Sequence, residues 1–114
     1  MRNDVILLFI AIQWTMLYFM SMSKLQYCVY VLLSLKDHQF YIGFTTDLQR
    51  RLTEHFHGQS KATAPRLPFQ IIFCEYYLSE TDARRREQYF KTTAGKRALK
   101  LMLLNTLNQA KGYF

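Results

Sequence analysis

The stretch from Leu25 to Leu35 constrains this chain more than any other. It is rich in Val, Leu and Tyr, and it is apolar at alternate and intervening positions alike. A short run that is apolar on both faces reads as a strand covered from both sides, the centre of a sheet rather than its margin. Lys36-Asp37-His38-Gln39 is polar and turn-like, and Phe40 to Phe44 is a second short strand, so the two form a hairpin. Phe69 to Tyr77 is a third strand of the same apolar character.

Helical patterns fill the rest. Thr46 and Gln49 fit a capping box, and the helix they open carries Leu48, Leu52 and Phe56 as an inward stripe. Gly58 to Pro68 is a loop with small polar residues and two prolines. Ser79 with Asp82 repeats the capping pattern for a second helix, which Gly95 is expected to end. Lys96 to about Asn108 forms a third, with Leu101, Met102, Leu104 and Leu107 available for packing. The order β-β-α-β-α-α gives an α+β fold, a small three-stranded sheet flanked by helices. At 114 residues the chain is one domain by size. Its core domain is set at residues 23–108, followed by a tail at 109–114.

Residues 1–22 stand apart. Val5 to Met20 is apolar except for Gln13 and Thr15, and at sixteen residues it falls short of the roughly 20 that cross a bilayer. No cleavage site of the small-x-small kind follows it. A membrane anchor, an uncleaved signal-like segment and an upstream extension all remain open. The extension is favoured slightly, because a start at Met22 leaves a compact domain. The segment is expected to be an apolar helix outside the core. Cys28 and Cys74 lie in strand-like runs and read as buried small hydrophobes of a reducing compartment, without metal-ligand spacing. The expected location is cytoplasmic, the alternative being membrane association through residues 5–20.

The net charge of +7 is unevenly placed. Acids and bases cancel up to Ala83. From Arg84 onward there are eight bases and one acid, Glu87. A one-sided basic segment suits a polyanion, with Arg84, Arg85, Arg86, Lys91, Lys96 and Arg97 as its contacts; a solvated helix face or attraction to anionic lipid suits charge alone as well. Glu87, a lone carboxylate in a positive field, stays ionised and is a candidate ligand for a hard divalent cation.

Tyr30 and Tyr41 are eleven positions apart, Arg51 follows ten later and His55 four after that. The spacing puts the phenols on adjacent strands and Arg51 and His55 on one helix face. Gly43, at the end of the second strand, leaves room for close approach. These groups suit phosphodiester hydrolysis. A phenol orients a water, an arginine faces the non-bridging oxygens, and a histidine assists proton transfer. Each residue alone has an ordinary structural explanation. Together they are more specific.

Val29-Tyr30, Tyr41-Ile42-Gly43, Arg51, His55 and Glu87 resemble the GIY-YIG nuclease superfamily, over about residues 25–105. The likeness is greatest to small single-domain members related to the N-terminal nuclease domain of the excision-repair subunit UvrC. The resemblance implies metal-dependent DNA cleavage, in repair or structure-selective processing. Tyr30 and Tyr41 would be the active-site phenols, Tyr41 working with the water. Arg51 would stabilise the transition state and His55 support proton transfer. Glu87 would hold Mg2+ or Mn2+, and Gly43 would be structural. Two departures stand: Cys28 replaces the glycine of the first triplet, and Leu99 lies near where the family has asparagine. Three hypotheses follow: a nuclease, with DNA as its partner and a protein partner as a candidate source of specificity; a nucleic-acid-binding module with weak or no cleavage; and a membrane-associated domain.

Overall fold

A computed structural model describes residues 2–23 and 25–111. The elements are α1 (Arg2–Ser23), β1 (Tyr27–Ser34), β2 (Phe40–Thr45), α2 (Leu48–Phe56), a 3-10 turn (Ala64–Arg66), β3 (Phe69–Tyr77), α3 (Glu80–Lys91), α4 (Thr93–Met102) and α5 (Leu104–Lys111). The three strands form one antiparallel sheet in the order β2-β1-β3. The all-apolar run is therefore the central strand, as its two-faced hydrophobicity requires, and β2 and β3 are the open edges.

Each face of the sheet has its own core. Val29, Val31 and Ile42 pack with Ala83 and Phe90 of α3 and Leu99 of α4. On the other face Cys28, Tyr30, Leu32 and Phe69 pack with Tyr41, Leu67, Ile71 and with Leu48 and Leu52 of α2. Strand alternation sorts the residues: the odd positions 29 and 31 look toward α3, and the even positions 28, 30 and 32 look toward α2.

Several local expectations are corrected. Thr45 rather than Thr46 folds the turn before α2: its hydroxyl accepts from Asp47 N–H at 3.0 Å and donates to Asp47 O. That hands the N-cap to Asp47, whose carboxylate accepts from Arg50 N–H at 3.1 Å. Phe56 closes the apolar stripe in the sequence but is 44% exposed, because α2 ends there. Ser79 caps α3 as expected, accepting from Asp82 N–H. Gly95 does not end that helix. Thr92 ends α3 and starts α4, accepting from Gly95 N–H at 3.0 Å. Gly95 lies in the first turn of α4, where a Cβ would fall on the Tyr89 carbonyl, so its smallness lets two helix ends touch. The expected third helix is two. The chain bends at Leu103, which packs against the Leu99 core, and Leu104 and Leu107 come alongside Leu33 and Phe40 around an apolar hollow of about 540 Å³.

Cys28 is buried, but Cys74 is exposed on the edge strand β3, which corrects the expectation of two buried thiols. Residues 109–111 of the expected tail continue α5, and 112–114 lie outside the described residues. The apolar leader forms the 22-residue helix α1, longer than the apolar run alone suggests. Every described residue from Arg2 to Ser21 is exposed, and the helix is long and apolar enough to cross a membrane by length and composition.

Candidate active site

Tyr30 lies in the middle of β1, directly opposite Gly43 of β2. Gly43 therefore sits within β2, not at its end. Its missing side chain is what admits the tyrosine ring: a Cβ there would fall on Tyr30 Cζ and OH and stand 2.7 Å from Cε1. Tyr41 pairs with Leu32, so the two phenols are diagonal rather than facing neighbours. They share one face of the sheet, with ring centroids 6.3 Å apart.

One turn of α2 brings Arg51 and His55 over that face. His55 is fully buried. Its Nε2 lies 2.7 Å from Tyr30 OH and its Nδ1 lies 2.8 Å from Thr63 Oγ1. The Tyr41 ring stands edge-on to it at 5.0 Å. Burial pushes the imidazole below its ordinary value of 6.5, and the charge of Arg51 adds to this. Burial likewise holds the Tyr30 phenol above its ordinary value of 10.0; Tyr41 adds to the rise and Arg51 opposes it. Both groups are thus neutral at neutral pH. Arg51 is partly buried, its Nη1 2.8 Å from Glu54 Oε2, and this hydrogen bond makes it still harder to deprotonate. The guanidinium interacts with both phenols.

Glu87 stands elsewhere. With Ala83 and Phe90 it forms the buried side of α3, which packs on the other face of the sheet. The expected five-residue set is therefore four residues on the α2 face and one carboxylate across the sheet. Glu87 is 9% exposed, and its ion pair with Lys91 Nζ is loose at 3.6 Å. Among the described residues no hydrogen bond to its carboxylate occurs, and no cluster of three metal-ligating side chains exists. A nearly buried carboxylate with spare acceptor capacity fits Mg2+, which takes one or two carboxylates and keeps its waters.

The six bases expected to meet nucleic acid divide sharply. Arg84 pairs with Glu80 at 3.1 Å and lies over the Phe44 ring. Arg85 pairs with Asp82. Arg86 pairs with Glu75 at 2.7 Å and stacks on Phe90. Lys91 pairs with Glu87. Lys96 and Arg97 make no ion pair among the described residues. With Thr93 and Lys100 they line a hollow of about 300 Å³ along one side of α4.

Sequence reasoning missed Thr63, Glu54 and Lys100. Lys100 was legible, at helical spacing from Lys96 and Arg97. Glu54 was legible as an i, i+3 partner of Arg51. Thr63 gave no signal, because the loop between it and His55 has no fixed period.

The family model of the GIY-YIG catalytic domain matches residues 26–100. Over 60 residues the chain is 40% identical to a UPF0213 protein of Streptococcus pneumoniae, covering 52% of this chain and 61% of that one. Over 68 residues it is 34% identical to a UPF0213 protein of Staphylococcus saprophyticus, covering 59% and 83%. The chain thus spans less than two thirds of the streptococcal relative and more of the staphylococcal one. The solution NMR structure of a UPF0213 protein from Bacillus halodurans shares 33% identity and a TM-score of 0.44, covering 67% of this chain and 83% of that one.

Proposed function

This chain belongs to the GIY-YIG family, and from that premise we propose that it is a metal-dependent DNA endonuclease selective for DNA structure, of the kind repair requires. The observation that carries the proposal is the convergence of Tyr30, Tyr41, His55 and Arg51 on one face of the sheet, tied by a 2.7 Å hydrogen bond at its centre.

In this mechanism the scissile phosphate lies against the half-buried Tyr41 and Arg51. Tyr30 is fully buried and bonded to His55, so Tyr41 is the phenol offered to substrate and water. Arg51 faces the non-bridging oxygens, where charge grows as water attacks phosphorus. Glu54 Oε2 accepts from Nη1 and holds the guanidinium to its helix, which leaves the remaining N–H groups for the phosphate. His55 and Tyr30 fix the acceptor side of the phenol cluster. Glu87 would hold Mg2+ or Mn2+, which when bound would lower the barrier to forming hydroxide and screen phosphate charge. Because α3 and the phenols lie on opposite faces, a phosphate meeting both Tyr41 and Glu87 would have to reach around the edge strand β2 that carries Tyr41. Lys96, Arg97 and Lys100 supply charge for the flanking backbone.

The test is cleavage by the purified chain of duplex, nicked, flapped and branched DNA in Mg2+ or Mn2+. Tyr41→Phe and Glu87→Gln are each expected to lower the rate about 100-fold or more, with binding kept. Wild-type rates in both variants would overturn the mechanism. Binding without cleavage of any substrate would favour the binding-module alternative.

A further inference from the structure

We infer that Thr63 is a positioning residue of this site: by accepting the Nδ1–H of His55 it fixes the ring in the tautomer whose Nε2 accepts the Tyr30 O–H. The inference rests on the nuclease proposal for its effect on rate, but not for the hydrogen-bond arrangement itself.

Three fully buried polar side chains from three parts of the chain form one line: Tyr30 on β1, His55 on α2 and Thr63 in the loop before the 3-10 turn. A neutral imidazole has one donor and one acceptor, so its two partners must play opposite roles. The phenol is far more acidic than the threonine alcohol and is the better donor to a ring nitrogen. Arg51, on the same helix as His55, also interacts with Tyr30 and can only donate. The Tyr30 oxygen therefore serves as acceptor toward Arg51 while its proton points to His55. That leaves Nδ1–H for Thr63 Oγ1. The other charged or titratable groups around His55 are Arg51 and Glu54 on its own helix and Tyr41 on β2. Arg51 opposes the imidazolium, and Glu54, which favours it, is bound to Arg51.

Thr63 is also held where this role needs it. Its N–H donates to Ser60 O at 3.2 Å, and its carbonyl accepts from Arg66 N–H at 2.9 Å. Arg66 Nε donates to Asp37 Oδ2 at 2.6 Å, and Ser34 Oγ–H donates to Arg66 O at 2.6 Å. Lys36 Nζ donates to Pro65 O at 2.9 Å. The loop is thus stapled to the β1–β2 turn, the same hairpin that carries both phenols. In the opposite tautomer Nε2–H would donate to the Tyr30 oxygen, and the phenol proton would swing toward Arg51 and Tyr41. The acceptor that orients those two groups would be lost.

The experiment pairs long-range 15N imidazole spectra of the full chain with cleavage kinetics, in wild type, Thr63→Val and Thr63→Ser. Wild-type His55 is expected to carry its proton on Nδ1. Thr63→Val is expected to move it toward Nε2 and lower kcat about tenfold with KM within about twofold of wild type. Thr63→Ser is expected to restore both. A wild-type proton on Nε2, or a Thr63→Val chain with unchanged tautomer and kcat, overturns the inference. If Thr63→Val does not fold, the wild-type spectrum and Thr63→Ser decide. If wild type cuts no DNA, the nuclease proposal fails, while the spectra still judge Thr63.

Discussion

At the scale of single residues, the site is a set of mutual constraints. The Tyr30 hydroxyl is pinned by His55, so its ring cannot yield to a side chain at position 43. Gly43→Ala is expected to cost about 2 kcal/mol through overpacking, read as a shifted denaturation midpoint with unchanged slope. Burial makes His55 bind its proton less tightly folded than unfolded. Its contribution is therefore complete above the unfolded value of 6.5 and is lost as pH falls below it. Urea midpoints should drop between about pH 7 and 5, less so in His55→Gln. Asp37 acts in a separate window: the Arg66 hydrogen bond lowers it to about 2, so its contribution fades only below its ordinary 3.8. Tyr30, Tyr41, Arg51 and His55 were legible because strand and helix periods fix who shares a face. Thr63 was not, since a loop has no such period. Glu87 was legible as the one acid among bases, but the face it occupies depends on how α3 crosses the sheet.

At the scale of elements, strands were easier to read than helix ends. The limits of β3 follow from its apolar run. The ends of α2, α3 and α4 follow from which neighbouring hydroxyl or glycine wins a local contest, and Asp47 and Thr92 won where Thr46 and Gly95 were expected. Tertiary pairing also redistributes charge. On α3 each arginine has an acid of its own, whereas Lys96, Arg97 and Lys100 on α4 have none among the described residues. Lys96→Ala/Arg97→Ala/Lys100→Ala is expected to flatten the slope of log affinity against log salt by about 2 to 3, at about 0.9 per phosphate contact. Arg84→Ala/Arg85→Ala should leave that slope nearly unchanged. The reverse ranking in a fluorescence titration series would move the nucleic-acid face to α3.

At the scale of the whole molecule, the folded domain and α1 are separable in energy. Because α1 buries none of its described residues, a chain starting at Met22 is expected to unfold within about 2 °C of the full chain. A largely apolar, exposed helix of this length should also carry the full chain, but not the shorter one, into sedimenting liposomes. Equal sedimentation would remove the anchor as a physical possibility. The remaining consequence concerns the rim of β2. Among the described residues no strand lies beyond Phe40–Thr45, so its outward backbone groups offer a template for strand addition. A peptide zipped onto that rim would lie directly beside Tyr41, which β2 itself carries. Self-assembly along β2 and the proposed cleavage would then be rivals for one space, and an extended peptide would silence the proposed activity by covering that rim.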